Sequence, residues 1–153
     1  MVGLRRNRGG AARTVGARLV DSPYVAFSDD DSWWAPGALS RAVELLDRHP
    51  RLAVLAARVL VGPDRRLDPV CVEMAHSPLG QADDLPGPSV LGFIACGAVV
   101  RRSAFLQVGG FDARLGVAHE AEHELARLEQ RAHRRHHRVV RLGLEPELAR
   151  LRP

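Results

Sequence analysis

Three consecutive aspartates follow a short stretch of strand-forming residues. Asp29, Asp30 and Asp31 follow Tyr24-Val25-Ala26-Phe27 after a single serine, Ser28. In open α/β sheets, ligands bind at the carboxyl ends of the strands. Two carboxylates two positions apart, as in Asp29 and Asp31, can share a hard divalent cation such as Mg²⁺ or Mn²⁺, which can bridge phosphate oxygens. The alternative is structural, because Asp31 or Ser32 could instead cap the helix that follows.

A second group of chemically capable side chains lies nearer the C-terminal end. The segment His119-Glu120-Ala121-Glu122-His123 matches the H-E-x-x-H pattern. On a helix, this spacing puts two imidazoles on one face to bind zinc, with the first glutamate as the base. Glu122 and Glu124 place charges at positions that are normally uncharged in that pattern. A zinc metallopeptidase is therefore the rival enzyme class.

Two helical patterns flank the aspartates and would help to position them. Apolar residues recur at helical spacing between Gly10 and Val20, and again after Pro36-Gly37 until His49-Pro50 ends the pattern. The faces that we expect to be buried are Ala12, Val15, Gly16 and Leu19 in the first helix, and Leu39, Ala42, Val43 and Leu46 in the second.

Two apolar runs, Leu52–Val61 and Val90–Val100, predict buried strands. Residues 62–89 are rich in Pro, Gly, Asp and Ser without a sustained period, which predicts a long loop or irregular excursion. Helices that alternate with apolar strands favour an α/β fold, in which a mostly parallel sheet is flanked by helices.

Composition excludes several classes of protein. Two cysteines, Cys71 and Cys96, allow neither a disulfide framework nor a four-cysteine zinc site, and suit a reducing, cytoplasmic compartment. The longest apolar stretch, Val90–Val100, is shorter than the roughly 20 residues that span a bilayer. The arginine-rich N-terminus lacks the apolar segment of a signal peptide.

Charge is unevenly placed, with basic ends and a mildly acidic middle. All 22 basic residues are arginine, which is typical of a GC-rich coding sequence and weakens the case for nucleic-acid binding. No aromatic residue interleaves the Arg/His-rich stretch from Arg127 to Arg141, so bases would find no stacking platform there. We expect no specific nucleic-acid partner. This stretch is the candidate for peripheral contact with an anionic membrane surface.

Three blocks of residues carry a resemblance to a known family. The first holds Asn7, Gly10, Ala12-Arg13 and Gly16; the second runs from Phe27 to Leu39; the third comprises Gly97–Phe105 and Val108–Asp112. In this order they resemble the N-x-G-x-x-x-A-R-N-x-G helix, the D-x-D segment and the RR-x-x-F-x-x-x-GGFD segment of glycosyltransferase family 2. Thr14 stands where the family usually has its second Asn.

The resemblance implies a GT-A-type (Rossmann-like) fold and an inverting sugar transfer from a nucleotide-diphosphate sugar to a hydroxyl-bearing acceptor. It implies Mg²⁺ or Mn²⁺ as the cofactor, which would stabilise the departing diphosphate. A glutamate after the Gly-Gly-Phe-Asp turn would be the general base. The residues implied are Asp29 and Asp31 for the metal, Arg13, Asp29, Asp30 and Trp34 for substrate, and Glu120 or Glu122 for catalysis.

The same resemblance predicts an incomplete domain. Family members begin with a strand–helix–strand unit that binds the nucleotide base and ribose, and this chain starts after the point where that unit would end. We therefore expect a partial GT-A domain at residues 1–115 and a helical, Arg/His-rich segment at residues 116–153. A chain of this kind could also be a non-catalytic remnant that only binds, which is the third hypothesis for its function.

Overall fold

The computed structural model describes residues 3–112, together with the backbone of residues 138–141 and 147–150. The helices are α1 (Ala11–Leu19), α2 (Ala38–Arg48), α3 (Pro69–Ala75) and α4 (Arg102–Gln107). The strands are β1 (Tyr24–Ala26), β2 (Ser32–Trp34), β3 (Leu52–Ala56), β4 (Arg58–Val61), β5 (Arg66–Leu67), β6 (Ala98–Arg101), β7 (Arg138–Arg141) and β8 (Glu147–Arg150).

These strands form two four-stranded sheets. The first has the order β1-β6-β3-β7, and the second has the order β2-β8-β4-β5. In the first sheet β6 lies between β1 and β3, with Val100 opposite both Val25 and Val54. The acidic segment therefore connects the two sheets, because it leaves β1 of the first and enters β2 of the second.

The first sheet is covered on both faces. Alternate residues of a strand point to opposite faces, and on β6 Val100 joins one apolar cluster while Val99 joins another. Val100 lies in the cluster that contains Ala17 of α1 and Phe105 of α4. Val99 lies in the cluster that contains Leu45 and its neighbours on α2. Burial on both faces explains why β6 is an apolar run rather than an alternating one.

The predicted α/β fold with flanking helices is observed, but the strand directions differ from the predicted mostly parallel sheet. Within the described part of the chain, β1–β6, β3–β6, β2–β8 and β4–β5 are antiparallel, and only β3–β7 and β4–β8 are parallel. The physical reason lies in β6. The chain reaches β6 through a segment that is mostly irregular apart from the short helix α3 and the turn at Ala95–Gly97, rather than through a regular β–α–β crossover, so nothing forces a parallel return.

The two predicted strands are shorter than their apolar runs. Leu52–Val61 divides at Ala57 into β3 and β4, which belong to different sheets. Of Val90–Val100, only the last three residues are in strand β6, and a single 3₁₀ turn at Ala95–Gly97 precedes it. Val90 and Phe93 are apolar because they fill the core from an irregular backbone.

The 62–89 segment also contains structure that its composition did not predict. Helix α3 starts at Pro69, and the carboxylate of Asp68 accepts a hydrogen bond of 2.9 Å from the Val70 amide. An Asp cap followed by Pro at the first helical position is a recognised start signal. The predicted long loop or irregular excursion therefore contains a helix at Pro69–Ala75.

The predicted helical segment at 116–153 is wrong at residues 138–141 and 147–150, which are strands β7 and β8. Both find parallel backbone partners, on β3 and β4 respectively. Tertiary hydrogen bonding to an available strand overrides local helix propensity. The rest of this segment, including the predicted domain boundary after residue 115, lies outside the described residues. No helix among the described residues is long and apolar enough to cross a membrane.

Candidate functional site

The acidic turn, residues 28–32, is closed by its two serines. The Ser32 hydroxyl accepts a hydrogen bond of 2.8 Å from the Asp29 amide, and the Ser32 amide donates to the Asp29 carbonyl at 3.3 Å. The Ser28 hydroxyl donates to the Ser32 carbonyl at 3.1 Å. These bonds occupy the backbone of the turn and leave Asp30 and Asp31 exposed at its tip. The structure thus presents two carboxylates to solvent at the carboxyl end of β1.

Arg13 of α1 holds the first aspartate of the turn. Its Nη2 lies 2.6 Å from Asp29 Oδ1, and each side chain is 28% exposed. A charge-assisted hydrogen bond of this length in a half-buried setting fixes the orientation of the carboxylate. Arg13 and Asp29, both predicted to be site residues, are therefore in direct contact.

The two tryptophans that follow the turn have different surroundings. Trp34 packs against both the α2-side cluster and the cluster around Val59, and its indole N–H is buried without a hydrogen-bond partner among the described residues. Trp33, on the opposite side of β2, is 46% exposed. The sequence did not distinguish the two. The predicted contact between Trp34 and substrate stays a prediction.

The glycine turn, Gly109–Phe111, is attached to the same helix as the acidic turn. The Phe111 amide donates to the Thr14 hydroxyl at 2.8 Å, and Thr14 Oγ lies 3.5 Å from the Phe111 carbonyl oxygen. Gly110 has φ +68°, and a Cβ built there would lie 2.5 Å from Thr14 Oγ. Only glycine permits this close approach in this backbone conformation.

An aromatic cluster connects the residue before the acidic turn with the last residue of the glycine turn. The rings of Phe27, Phe105 and Phe111 contact one another with centroid separations of 5.4–5.6 Å. Phe27 directly precedes the acidic turn, and Phe111 ends the glycine turn. Thr14 and the three phenylalanines were not among the predicted site residues. For the phenylalanines, the signal in the sequence is that single phenylalanines lie beside the aspartates and beside the two glycines.

The opposite end of β1 has a separate polar cluster that supports the sheet. The Tyr24 hydroxyl donates to the Asp47 carboxylate of α2. The Arg101 guanidinium lies 5.3 Å from the Tyr24 ring centroid and donates to the Leu46 carbonyl at 2.6 Å. Burial and the hydrogen bond to Asp47 raise the pKa of Tyr24, and Arg101 opposes that rise. This cluster ties the C-terminal end of α2 to the sheet.

Among the described residues, no group of three or more His, Cys, Asp or Glu side chains is placed to hold a metal ion. The predicted base, Glu120 or Glu122, and the H-E-x-x-H segment lie outside the described residues. Their roles stay predictions.

Comparisons with known proteins bear on the family and on the fold. The family profile described as glycosyl transferase family 2 matches residues 2–109. No protein of curated function matches the sequence at a significant level.

Solved structures with a similar fold include S. aureus TarS 1-349, with a TM-score of 0.67 and 16% identity over 97% of this chain and 42% of that one. The same protein in complex with UDP-GlcNAc gives a TM-score of 0.66 and 17% identity, over 98% of this chain and 41% of that one. The structure of GalNAc-T7 with UDP, GalNAc and Mn²⁺ gives a TM-score of 0.68 and 12% identity, over 97% of this chain and 31% of that one. This chain therefore spans less than half the length of each of these neighbours.

At these identities the structural likeness shows the fold alone, and it confirms the predicted GT-A-type fold. The profile match covers well over half of the chain, including α1, the whole acidic turn and the first residue of the glycine turn. The predicted family is confirmed with it: the chain belongs to glycosyl transferase family 2.

Proposed function

We propose that this chain is part of an enzyme that transfers a sugar from a nucleotide-diphosphate sugar to a hydroxyl group of an acceptor, with inversion at the anomeric carbon. The observation that carries the proposal is the acidic turn of a family 2 chain, with Asp30 and Asp31 exposed and Asp29 held by Arg13. Structural neighbours solved with UDP-GlcNAc, and with UDP, GalNAc and Mn²⁺, support a nucleotide-sugar donor.

The donor set of the acidic turn fits Mg²⁺ or Mn²⁺, because both are hard cations that prefer carboxylate oxygen. Asp31 and Asp29 would hold the ion. Two protein carboxylates leave the remaining ligand positions for water and for donor phosphates, which is how Mg²⁺ is usually bound at phosphate-transfer sites. When bound, the cation offsets the charge that develops on the diphosphate leaving group.

The remaining residues have roles that follow from their chemistry. Arg13 keeps the Asp29 carboxylate oriented, and it presents a cation that suits an anionic donor. Asp30 and Trp34 complete the proposed donor contacts. Glu120 or Glu122 would accept the proton of the attacking hydroxyl as the general base. A single direct displacement needs only one such base, and it inverts the anomeric configuration.

The first test is donor binding by titration calorimetry, with UDP-sugars, with and without Mn²⁺. We expect Asp31→Asn to weaken Mn²⁺-dependent binding about tenfold or more, because the ion loses an ionic ligand. Asp64→Asn is the matched control, since Asp64 is an exposed acid in the turn between β4 and β5. Equal binding by wild type and Asp31→Asn would contradict the metal assignment.

The second test is turnover. With water as the hydroxyl acceptor, a transferase slowly releases nucleoside diphosphate and free sugar from its donor. We expect the sugar from an α-linked donor to appear first as the β anomer, which proton NMR distinguishes. Initial release of the α anomer would refute inversion.

A further inference from the structure

The acidic turn and the glycine turn are attached to α1 through consecutive residues. Arg13 contacts Asp29 at 2.6 Å, and Thr14 contacts the Phe111 amide at 2.8 Å. Because adjacent residues of a helix are rigidly spaced, the two contacts set the position of one turn relative to the other.

Thr14 is buried, with an exposure of 5%. Its hydroxyl acts as both acceptor and donor: it accepts a hydrogen bond from the Phe111 amide and donates to the Phe111 carbonyl oxygen at 3.5 Å. The side chain also fills the space over Gly110, where an added Cβ would lie 2.6 Å from Thr14 Cγ2. The hydroxyl and the methyl group of Thr14 together determine where the glycine turn sits.

The aromatic cluster makes this position matter for the acidic turn. Phe27 and Phe111 are in ring contact at 5.6 Å, and Phe105 packs against both. Close-packed interiors transmit small displacements instead of absorbing them. A shift of the glycine turn would therefore move Phe27 and the aspartates that follow it.

We propose that Thr14 is a positioning residue for sugar transfer: it sets the glycine turn and, through the contact of Phe111 with Phe27, the aspartates to which the proposed function assigns the metal and the donor. This inference rests on the proposed function. Catalytic groups must keep their productive geometry to within about 0.5 Å, and a misplacement of about 1 Å costs up to about a hundredfold in rate. Thr14 itself touches neither substrate nor metal in this proposal.

The experiment compares Thr14→Val, which keeps the shape but loses the hydroxyl, with Thr14→Ser, which keeps the hydroxyl. Both are made in the full chain and assayed for UDP-sugar turnover with Mn²⁺. We expect Thr14→Val to lower kcat by about tenfold to a hundredfold and to weaken Mn²⁺ binding by about twofold or more, because the displaced aspartates are the proposed metal ligands. Thr14→Ser should stay within about threefold of wild type in kcat. Thr14→Ala serves as the hydroxyl-free variant if Thr14→Val does not fold.

The control for stability is Leu60→Ala. Leu60 of β4 is buried, with an exposure of 8%, and belongs to none of the apolar clusters that contact the two turns or Trp34. We expect this variant to lose stability without a selective loss of kcat. A kcat for Thr14→Val equal to wild type, or an equal loss in Leu60→Ala at matched folded fraction, would overturn the positioning role. An inactive wild type would count against the proposed function, whereas an active wild type with an unaffected Thr14→Val would overturn this inference alone.

Discussion

Gly110→Ala adds one methyl group where the glycine turn meets α1. The new Cβ would lie 2.5 Å from Oγ and 2.6 Å from Cγ2 of Thr14, distances that no relaxed side chain shows. Thr14 cannot move away freely, because its hydroxyl holds the Phe111 amide at 2.8 Å. We expect the turn and α1 to be pushed apart.

The magnitude has two parts. A non-glycine residue at φ +68° costs about 1–2 kcal/mol. Overpacking a filled site by a methyl group costs about 1–3 kcal/mol more. The free energy of unfolding should therefore fall by about 2–5 kcal/mol. Gly80→Ala is the matched control, because Gly80 has φ +64° but nothing within 4 Å of its added Cβ, so only the conformational cost applies.

The assay is urea unfolding of four proteins: wild type, Gly110→Ala, Thr14→Ala and the double variant. Thr14→Ala alone should cost about 1–3 kcal/mol, because it leaves the buried Phe111 amide without its acceptor. It also removes the two atoms that clash with the new methyl group. The double variant should therefore be more stable than the sum of the single losses predicts, by about 1 kcal/mol or more.

Two results would refute this reasoning. One is strict additivity in the double variant, since it would show that the two side chains do not meet. The other is an equal loss for Gly110→Ala and Gly80→Ala, because it would leave only backbone conformation as the cause.

Two further predictions concern the polar cluster at the start of β1. Arg101→Met should lower the free energy of unfolding by about 2–3 kcal/mol, because the Leu46 and Leu52 carbonyls lose a charged donor. Arg101→Lys should recover only part of that stability. A loss below about 0.5 kcal/mol for Arg101→Met in chemical denaturation would contradict this prediction. Tyr24 is the only tyrosine, so phenolate absorbance reports on it alone, and its pKa is raised above the ordinary 10.0 by burial and by the hydrogen bond to Asp47. Since the neutral phenol is favoured in the folded state, its small contribution to stability is complete below pH 10 and is lost as pH rises through the folded pKa. Asp47→Asn should lower the pKa of Tyr24. An unchanged titration of Tyr24 in that variant would exclude the hydrogen bond between Tyr24 and Asp47.

Part of the site was accessible from the sequence because it depends on neighbouring residues. The strand before Asp29, the turn after it and the helix from Ala38 follow from local propensity and from the glycine and proline signals. The contact between Arg13 and Asp29 was implied only in part, since the resemblance placed both residues in one site without pairing them.

The helix faces that periodicity predicts agree only in part with the faces that the structure buries. On α1 the buried residues are Ala11, Thr14 and Ala17, whereas Leu19 is 59% exposed. On α2 the predicted Ala42 and Leu46 are buried, whereas the predicted Leu39 is 42% exposed. The buried residues of α1 give a weak periodic signal because alanine and threonine are only weakly apolar. Small side chains are nevertheless what allow a helix to lie close against a sheet.

The sequence by itself determined the family, the order of the motifs and the carboxylates at the end of β1, because these are properties of short segments. Only the tertiary structure decided that Ala57 separates two sheets, that Trp34 rather than Trp33 packs against the core, and that Thr14 meets Phe111 across 97 residues of chain. These outcomes depend on which surfaces fit together after collapse. That fit is a property of packed volumes and paired backbone groups, which no local pattern specifies.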